Sequence, residues 1–230
     1  MDEKVIVITG AGSGLGAAMA RKYAAEGHHI CLIGRTREKL KETAATLTTD
    51  NYTICPLDVT VKRDVEAMFQ SIKEEVGPAD MLINNAGVGV FDTAENLDEN
   101  AVHQMIDINL KGTIFCTQAV LKIMMKRNAG VIANVISTAG LEGKATETVY
   151  CASKFGVRGF TESLLAELKD TDIHVFSAYM GGMKTPFWDG IIEEENMEHM
   201  MDPEDIADVI MHNIKVRKNI NVDHVVIKNH

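Results

Sequence analysis

Thr9-Gly10-Ala11-Gly12-Ser13-Gly14-Leu15-Gly16 follows the apolar, β-branched run Val5-Ile6-Val7-Ile8 and opens a helical pattern over 14–26. Glycine has no Cβ, so such a turn can be tight and its backbone N–H groups can lie close to a bulky anion. The N-terminus of the following helix carries partial positive charge and favours the same anion, a pyrophosphate above all. A tight strand-to-helix turn that holds nothing is the alternative, because a glycine string alone is a weak signal. Here the strand before it and the helix after it supply the context that a phosphate-cradling turn requires.

Outward from this turn the chain alternates. Apolar runs at 30–33, 52–55, 81–83, 131–136, 173–178 and 225–227 read as six further strands. They do not alternate apolar with polar, which suits strands covered on both faces and hence a parallel sheet. Helical patterns at 36–47, 61–76, 98–127, 148–169 and 203–215 lie between them. The last begins Asp202-Pro203-Glu204-Asp205, with an acid at the cap and proline in the first turn. Strand, helix, strand repeated in this way implies right-handed crossovers. The expected fold is α/β: a doubly wound, mainly parallel seven-stranded sheet with helices on both faces. No linker, low-complexity tract or fixed-period repeat interrupts the pattern, so one domain over 1–230 is expected.

Composition narrows the function classes. The 230 residues are enough to bury a substantial core, and 46% hydrophobic with 24% charged residues is ordinary for a globular chain. Acidic residues outnumber basic ones by 33 to 23, a net charge of −10. That balance counts against nucleic acid and against an anionic membrane surface as partners. No apolar run approaches the roughly 20 residues that span a bilayer. Met1-Asp2-Glu3-Lys4 lacks the basic start and long apolar stretch of a secretory signal. Cys31, Cys55, Cys116 and Cys151 form no CxxC pair, so reduced thiols in a cytoplasmic protein are expected. The eight histidines form no HExxH-like pairing, and no metal site is expected.

The end of the second strand bears on the anion. A dinucleotide site that holds both ribose hydroxyls usually places Asp or Glu there. This chain has Gly34-Arg35-Thr36-Arg37, two arginines and no acid. An arginine holds a 2′-phosphate bidentately, which points to NADP rather than NAD. Thr36 is a candidate cap for the next helix. Solvated charges at a helix start are the alternative for Arg35 and, more evenly, for Arg37.

Three further motifs carry chemistry. Asn84-Asn85-Ala86-Gly87 follows the fourth strand, Ser137 ends the fifth, and Tyr150-Cys151-Ala152-Ser153-Lys154 begins a long helix. Tyr150 and Lys154, four residues apart, share one helix face. An ammonium beside a phenol favours phenolate and fits the tyrosine for proton exchange near neutral pH. Ser137 stands where its hydroxyl can hold a carbonyl oxygen. Alone, a tyrosine–lysine pair is more often a pair of surface neighbours.

Taken in order, the Thr-Gly-x-x-x-Gly-x-Gly turn, the Asn-Asn-Ala-Gly loop, the serine thirteen residues before the tyrosine and Tyr-x-x-x-Lys resemble the short-chain dehydrogenase/reductase family, over essentially the whole chain. The resemblance implies a Rossmann fold and a catalytic tetrad. Tyr150 would be the general acid or base, Lys154 its tuner and a ribose ligand, Ser137 the holder of the reacting oxygen, and Asn109 the holder of a relay water. Cofactor contacts would come from Gly10, Gly12, Ser13, Gly14, Leu15, Gly16, Arg35, Asp58, Val59, Asn85, Ala86, Gly87 and Thr185, with Tyr150 and Lys154. Asp58 would meet the adenine amino group and Thr185 the nicotinamide amide. Two alternatives stay open: Asp58 as a cap for the next helix, and Asn109 bonded only to backbone. Where the family usually has Pro-Gly before that threonine, this chain has Met180-Gly181. The change loosens the nicotinamide wall or fills part of the pocket.

The implied function is NADP(H)-dependent hydride transfer between a carbonyl and an alcohol. The alternatives are oxidation of a short 3-hydroxy acid and a non-catalytic NADP-binding protein. A homotetramer or homodimer is implied as well. Substrate contacts are expected from 88–91, 138–148 and a loop of about 183–201. Phe187, Trp188, Ile191, Ile192, Met197, Met200 and Met201 in that loop read first as core or interface. Glu142, Lys144 and Glu147 read first as solvated loop charges.

Overall fold

The computed structural model describes residues 3–230, apart from the side chains of Glu194 and Asn196. The first two positions of the expected 1–230 unit, Met1 and Asp2, lie outside the described residues. In chain order the elements are β1 (Val5–Thr9), α1 (Gly14–Ala25), β2 (His29–Gly34), α2 (Arg37–Ala44), β3 (Tyr52–Pro56), α3 (Lys62–Glu75), β4 (Met81–Asn84), α4 (Glu99–Met105), α5 (Thr113–Arg127), β5 (Gly130–Val135), α6 (Thr148–Glu167), β6 (Ile173–Met180), α7 (Pro203–Asn213) and β7 (His224–Ile227).

The strands form one seven-stranded sheet in the order β3-β2-β1-β4-β5-β6-β7, every pair parallel. The unalternating strands are explained by what covers them. Ile6, Ile8, Ile30 and Leu32 point to the side packed by Leu15, Met19, Leu40, Ile206 and Ile210 of α1, α2 and α7. Val7, Cys31 and Ile33 point to the opposite side, packed by Val65, Phe69, Val120, Ile123 and Leu164 of α3, α5 and α6. This is the Rossmann architecture. All four cysteines are free and buried within it. Among the described residues no helix is long and apolar enough to cross a membrane.

The strand order reverses at β1, which pairs with β2 on one side and β4 on the other. The two outgoing turns part there, and ligands of open α/β sheets bind in that crevice at the carboxyl ends of the strands. The expected single helix over 98–127 is continuous but not uniform. Between α4 and α5 the turns at Ile106–Gly112 widen to a π-helix, with Asn109 in their middle. Such local widening often accompanies functional sites.

Candidate active site

A cleft of about 530 Å³ opens above the carboxyl ends of β1, β4, β5 and β6. At one end stand Gly10, Ser13, Gly14, Leu15, Arg35 and Lys39; at the other stand Ser137, Tyr150, Lys154 and Phe187.

The glycine turn divides its work. Gly10 and Gly14 have φ of 66° and 51°, the left-handed region that favours glycine. Both line the cleft. A Cβ on Gly10 would come 2.9 Å from the Ala86 Cα, and one on Gly14 would come 3.0 Å from Thr185 Cγ2. Gly12 and Gly16 do not line it. A Cβ on Gly16 would come 2.3 Å from the Gly10 carbonyl oxygen, so this glycine lets α1 pack on the turn itself. Gly12 does the same against Lys39, at 3.0 Å from its Cβ. Ser13 caps α1 without a side-chain bond.

Thr9, to which the sequence reading gives no role, ties the two outgoing turns together. Its buried hydroxyl donates to the Ile83 carbonyl (3.3 Å) and accepts from the N–H groups of Asn85 (2.9 Å) and Ala86 (3.0 Å). Asn85 Nδ2 donates to the carbonyls of Thr9 and Gly10 at 3.0 and 3.2 Å, so its amide shapes the turn. Ala86 and Gly87 line the cleft, with Gly87 packed between Asn109 and Lys154.

Arg35 is exposed and faces the cleft. Lys39, one helical turn on, faces it too, and among the described residues neither has an ion pair. The i, i+4 spacing from Arg35 is the signal in the sequence that points to Lys39. Arg37 is exposed and does not reach the cleft. Thr36 stands at the cap position of α2 but makes no capping bond. Asp58 is exposed outside the cleft, its Oδ1 accepting from Thr60 N (2.9 Å) and Thr60 Oγ1 (2.8 Å). Val59 is buried against Gly112.

At the other end Ser137 leaves β5 with φ 139° and ψ 156°, a strained conformation for a residue with a Cβ. Its Oγ accepts from Ala139 N at 3.2 Å and stands beside the Tyr150 hydroxyl. Burial pushes the Tyr150 phenol well above its ordinary value, and the Ser137 hydroxyl pulls the other way. Burial pushes the Lys154 ammonium down to about 8. Lys154 Nζ donates to the Val135 carbonyl at 3.3 Å and lies 5.7 Å from the Tyr150 ring centre. Burial is the largest influence on the Tyr150 phenol, ahead of the Ser137 hydroxyl and the Glu147 charge.

Asn109 is buried and does not line the cleft. Its Oδ1 accepts from Val88 N (2.8 Å), and its Nδ2 donates to the Val88 carbonyl (2.9 Å) and to Ser153 Oγ (3.0 Å). Its side chain thus braces the loop after β4 against the helix that carries Tyr150. Its main-chain carbonyl accepts from Thr113 Oγ1 at 2.8 Å.

The wall over Tyr150 is aromatic. Phe91 meets Tyr150 edge-on at 5.4 Å, Phe187 lies 5.9 Å from it, and Trp188 packs on Phe187 at 5.0 Å. Phe187, Trp188 and Ile191 line the cleft, and Phe187 also packs against the buried cluster of Met105, Ala139, Tyr150 and Cys151. Met197 is buried, as the core reading has it. Lys144 and Glu147 also line the cleft, while Glu142 is exposed outside it. Lys144 Nζ donates to Thr138 Oγ1 at 2.9 Å, and burial raises the Glu147 carboxyl against the pull of Lys144. Periodicity misses these residues because they sit on loops, whose backbone path no spacing rule specifies. Met180, in the place of the family proline, is buried at the end of β6 and reaches the cleft wall. Thr185 lines the cleft against Gly14. Among the described residues no cluster suits a metal ion.

The family model for short chain dehydrogenase matches residues 4–196, the span that builds both ends of this cleft. The chain belongs to the short-chain dehydrogenase/reductase family. An uncharacterized oxidoreductase of Staphylococcus aureus is 32% identical over 228 residues, covering 99% of this chain and 98% of that one. Among solved structures, the closed form of a serine dehydrogenase complexed with NADP+ superposes with a TM-score of 0.90 at 30% identity, covering 96% of this chain and 93% of that one. An alcohol dehydrogenase from the archaeon Thermococcus sibiricus, complexed with 5-hydroxy-NADP, has a TM-score of 0.88 at 26% identity, covering 98% and 96%. As a member of this family the chain is an oxidoreductase with a nicotinamide-dinucleotide fold.

Proposed function

We propose that this chain is an NADP(H)-dependent oxidoreductase that interconverts a carbonyl and an alcohol, with Tyr150 as the proton donor and acceptor. The observation that carries the reading is one cleft with two ends, Arg35 and Lys39 without an ion pair among the described residues beside the Gly10–Leu15 turn, and Tyr150 with Ser137 and Lys154 facing it. The residues fit the cofactor: Gly10, Ser13, Gly14 and Leu15 line the cleft as a cradle for its phosphates, and Arg35 and Lys39 would meet a 2′-phosphate where an acid would repel it. Tyr150, Lys154, Ala86, Gly87 and Thr185 line the remainder toward the nicotinamide end. When bound, the nicotinamide supplies or accepts the hydride.

The chain's own residues then do the rest in the reducing direction. Ser137 Oγ–H donates to the carbonyl oxygen, the Tyr150 hydroxyl passes its proton to that oxygen, and the Lys154 charge stabilises the phenolate left behind. Asn109 positions the Val88 loop and α6. Phe91, Phe187 and Trp188 exclude water over the reacting carbon. Residues 183–201 form the substrate lobe of a single catalytic unit that works in the cytoplasm.

A short hydroxy acid is the second reading of the substrate. It is favoured by the Lys144 ammonium inside the cleft, a partner for a carboxylate, and by the likeness to a serine dehydrogenase.

A screen of aldehydes, ketones and hydroxy acids with NADPH, NADP, NADH and NAD tests the proposal. Turnover with the phosphorylated cofactors is expected, and Arg35→Ala should weaken NADPH by roughly ten- to a hundredfold, the worth of a charge-assisted hydrogen bond. Binding of NADPH without turnover of any compound would favour a non-catalytic protein. Equal binding of NADH and NADPH would return Arg35 to a solvated charge.

A further inference from the structure

Two residues beyond β7, Asn229 reaches back to the substrate lobe. One of its amide hydrogens goes to the Gly182 carbonyl (Nδ2 to oxygen 3.1 Å) and the other to the His199 carbonyl (3.0 Å). Gly182 is where the chain enters the lobe and His199 is where it leaves. The same two ends are joined by backbone bonds, Lys184 N to the Met201 carbonyl at 2.9 Å and Met201 N to the Gly182 carbonyl at 3.1 Å. The Asn229 amide is therefore a side-chain rivet across the base of a flap. Gly181 makes room for it: a Cβ there would stand 2.4 Å from Asn229 Oδ1. Gly181 N also donates to the Ile227 carbonyl at 2.9 Å, which fixes β7 and the residues after it beside the entry strand.

What the flap carries gives the rivet its consequence. Phe187 and Trp188 ride on it and form the wall over Tyr150, and Trp188 Nε1 is fixed to the Met183 carbonyl at 3.0 Å, next to the riveted base. We propose that Asn229 is a positioning residue that holds the substrate lobe closed over the cleft, acting through Gly182 and His199 on the aromatic wall. Its consequence for turnover rests on the catalytic reading of the cleft; its consequence for the lobe does not.

Trp188 is the chain's single tryptophan, so its fluorescence reports the lobe directly. Acrylamide quenching of Trp188 in the free protein is the first measurement. Asn229→Ala should raise the quenching constant by about half or more, as a loosened local unit would. Asn229→Asp keeps the shape and removes both donors, and should do the same. Gly181→Ala should expel the Asn229 side chain and match Asn229→Ala, and the double variant should be no worse than either single. On any carbonyl the enzyme reduces, Asn229→Ala should raise KM roughly five- to tenfold, the worth of the lost bonds, with NADPH affinity within about twofold. Wild-type quenching in Asn229→Ala overturns the rivet. Wild-type quenching in Asn229→Asp assigns the effect to packing alone and overturns it as well. Were no compound turned over, the quenching result would still decide, since it needs neither substrate nor cofactor.

Discussion

Ser137 combines a strained backbone with a reactive position. The two properties separate by substitution. Ser137→Gly and Ser137→Ala both delete the hydroxyl, but only glycine relaxes at φ 139°. Ser137→Gly should be the more stable by about 1–2 kcal/mol in chemical denaturation, with turnover lost in both. Equal stabilities would mean that the strand end carries no strain. Tyr150→Phe keeps the ring against Phe91 and Phe187 and removes the transferable proton. Turnover should fall by about two or more powers of ten while NADPH binding barely changes. Lys154 is a buried cation whose ammonium is held down to about 8 from 10.5. Below pH 8 folded and unfolded chains both carry the proton, and the burial cost is at its full value, up to about 3 kcal/mol. Between about 8 and 10.5 the unfolded chain binds more protons, so stability rises with pH and the cost fades. Lys154→Met should therefore be more stable than the parent at pH 7, and the advantage should shrink as pH approaches 10; an advantage that does not change with pH would show that Lys154 does not titrate there.

At the scale of elements, the brace at Asn109 has the most to lose. Asn109→Ala leaves the N–H and carbonyl of Val88 without partners, and a cost of about 2–3 kcal/mol is expected. A thermal midpoint close to the parent's would show that the loop finds other partners. The strands were legible in the sequence because burial on both faces leaves unbroken runs such as Val5–Ile8, and the start of α7 because Asp202 and Pro203 announce it; Asp98 caps α4 in the same way, though the sequence reading does not mark it. Asp98 accepts from Ala101 N at 2.7 Å and Asp202 from Glu204 N at 2.8 Å. The cleft's own residues divide in the same way. Gly10, Gly14, Ser137, Tyr150 and Lys154 sit at strand ends or on a helix face, where local rules fix direction. The π-helical turns around Asn109 were not legible, because no residue pattern forces a widened turn. Nor was the inward path of Phe187 and Trp188, which pack against Phe91, with Gly89 leaving room for Phe187.

For the whole molecule, the family resemblance and the exposed Phe155 on α6 and Met125 on α5, 41% and 52% accessible, lead us to expect a homodimer or homotetramer. Light scattering at micromolar concentration should give a multiple of 25.2 kDa; a mass of one chain would end the expectation. The cleft also sits in an unusual field. The chain carries a net charge of −10, yet Arg35 and Lys39, with no ion-pair partner among the described residues, stand at one mouth of the cleft. A polyanion diffusing toward such a surface is turned away over most of it and drawn in at that mouth. For the phosphorylated dinucleotide proposed above, this would mean arrival phosphates first, and the association rate should fall as added salt shortens the reach of those two charges while the departure rate stays nearly constant.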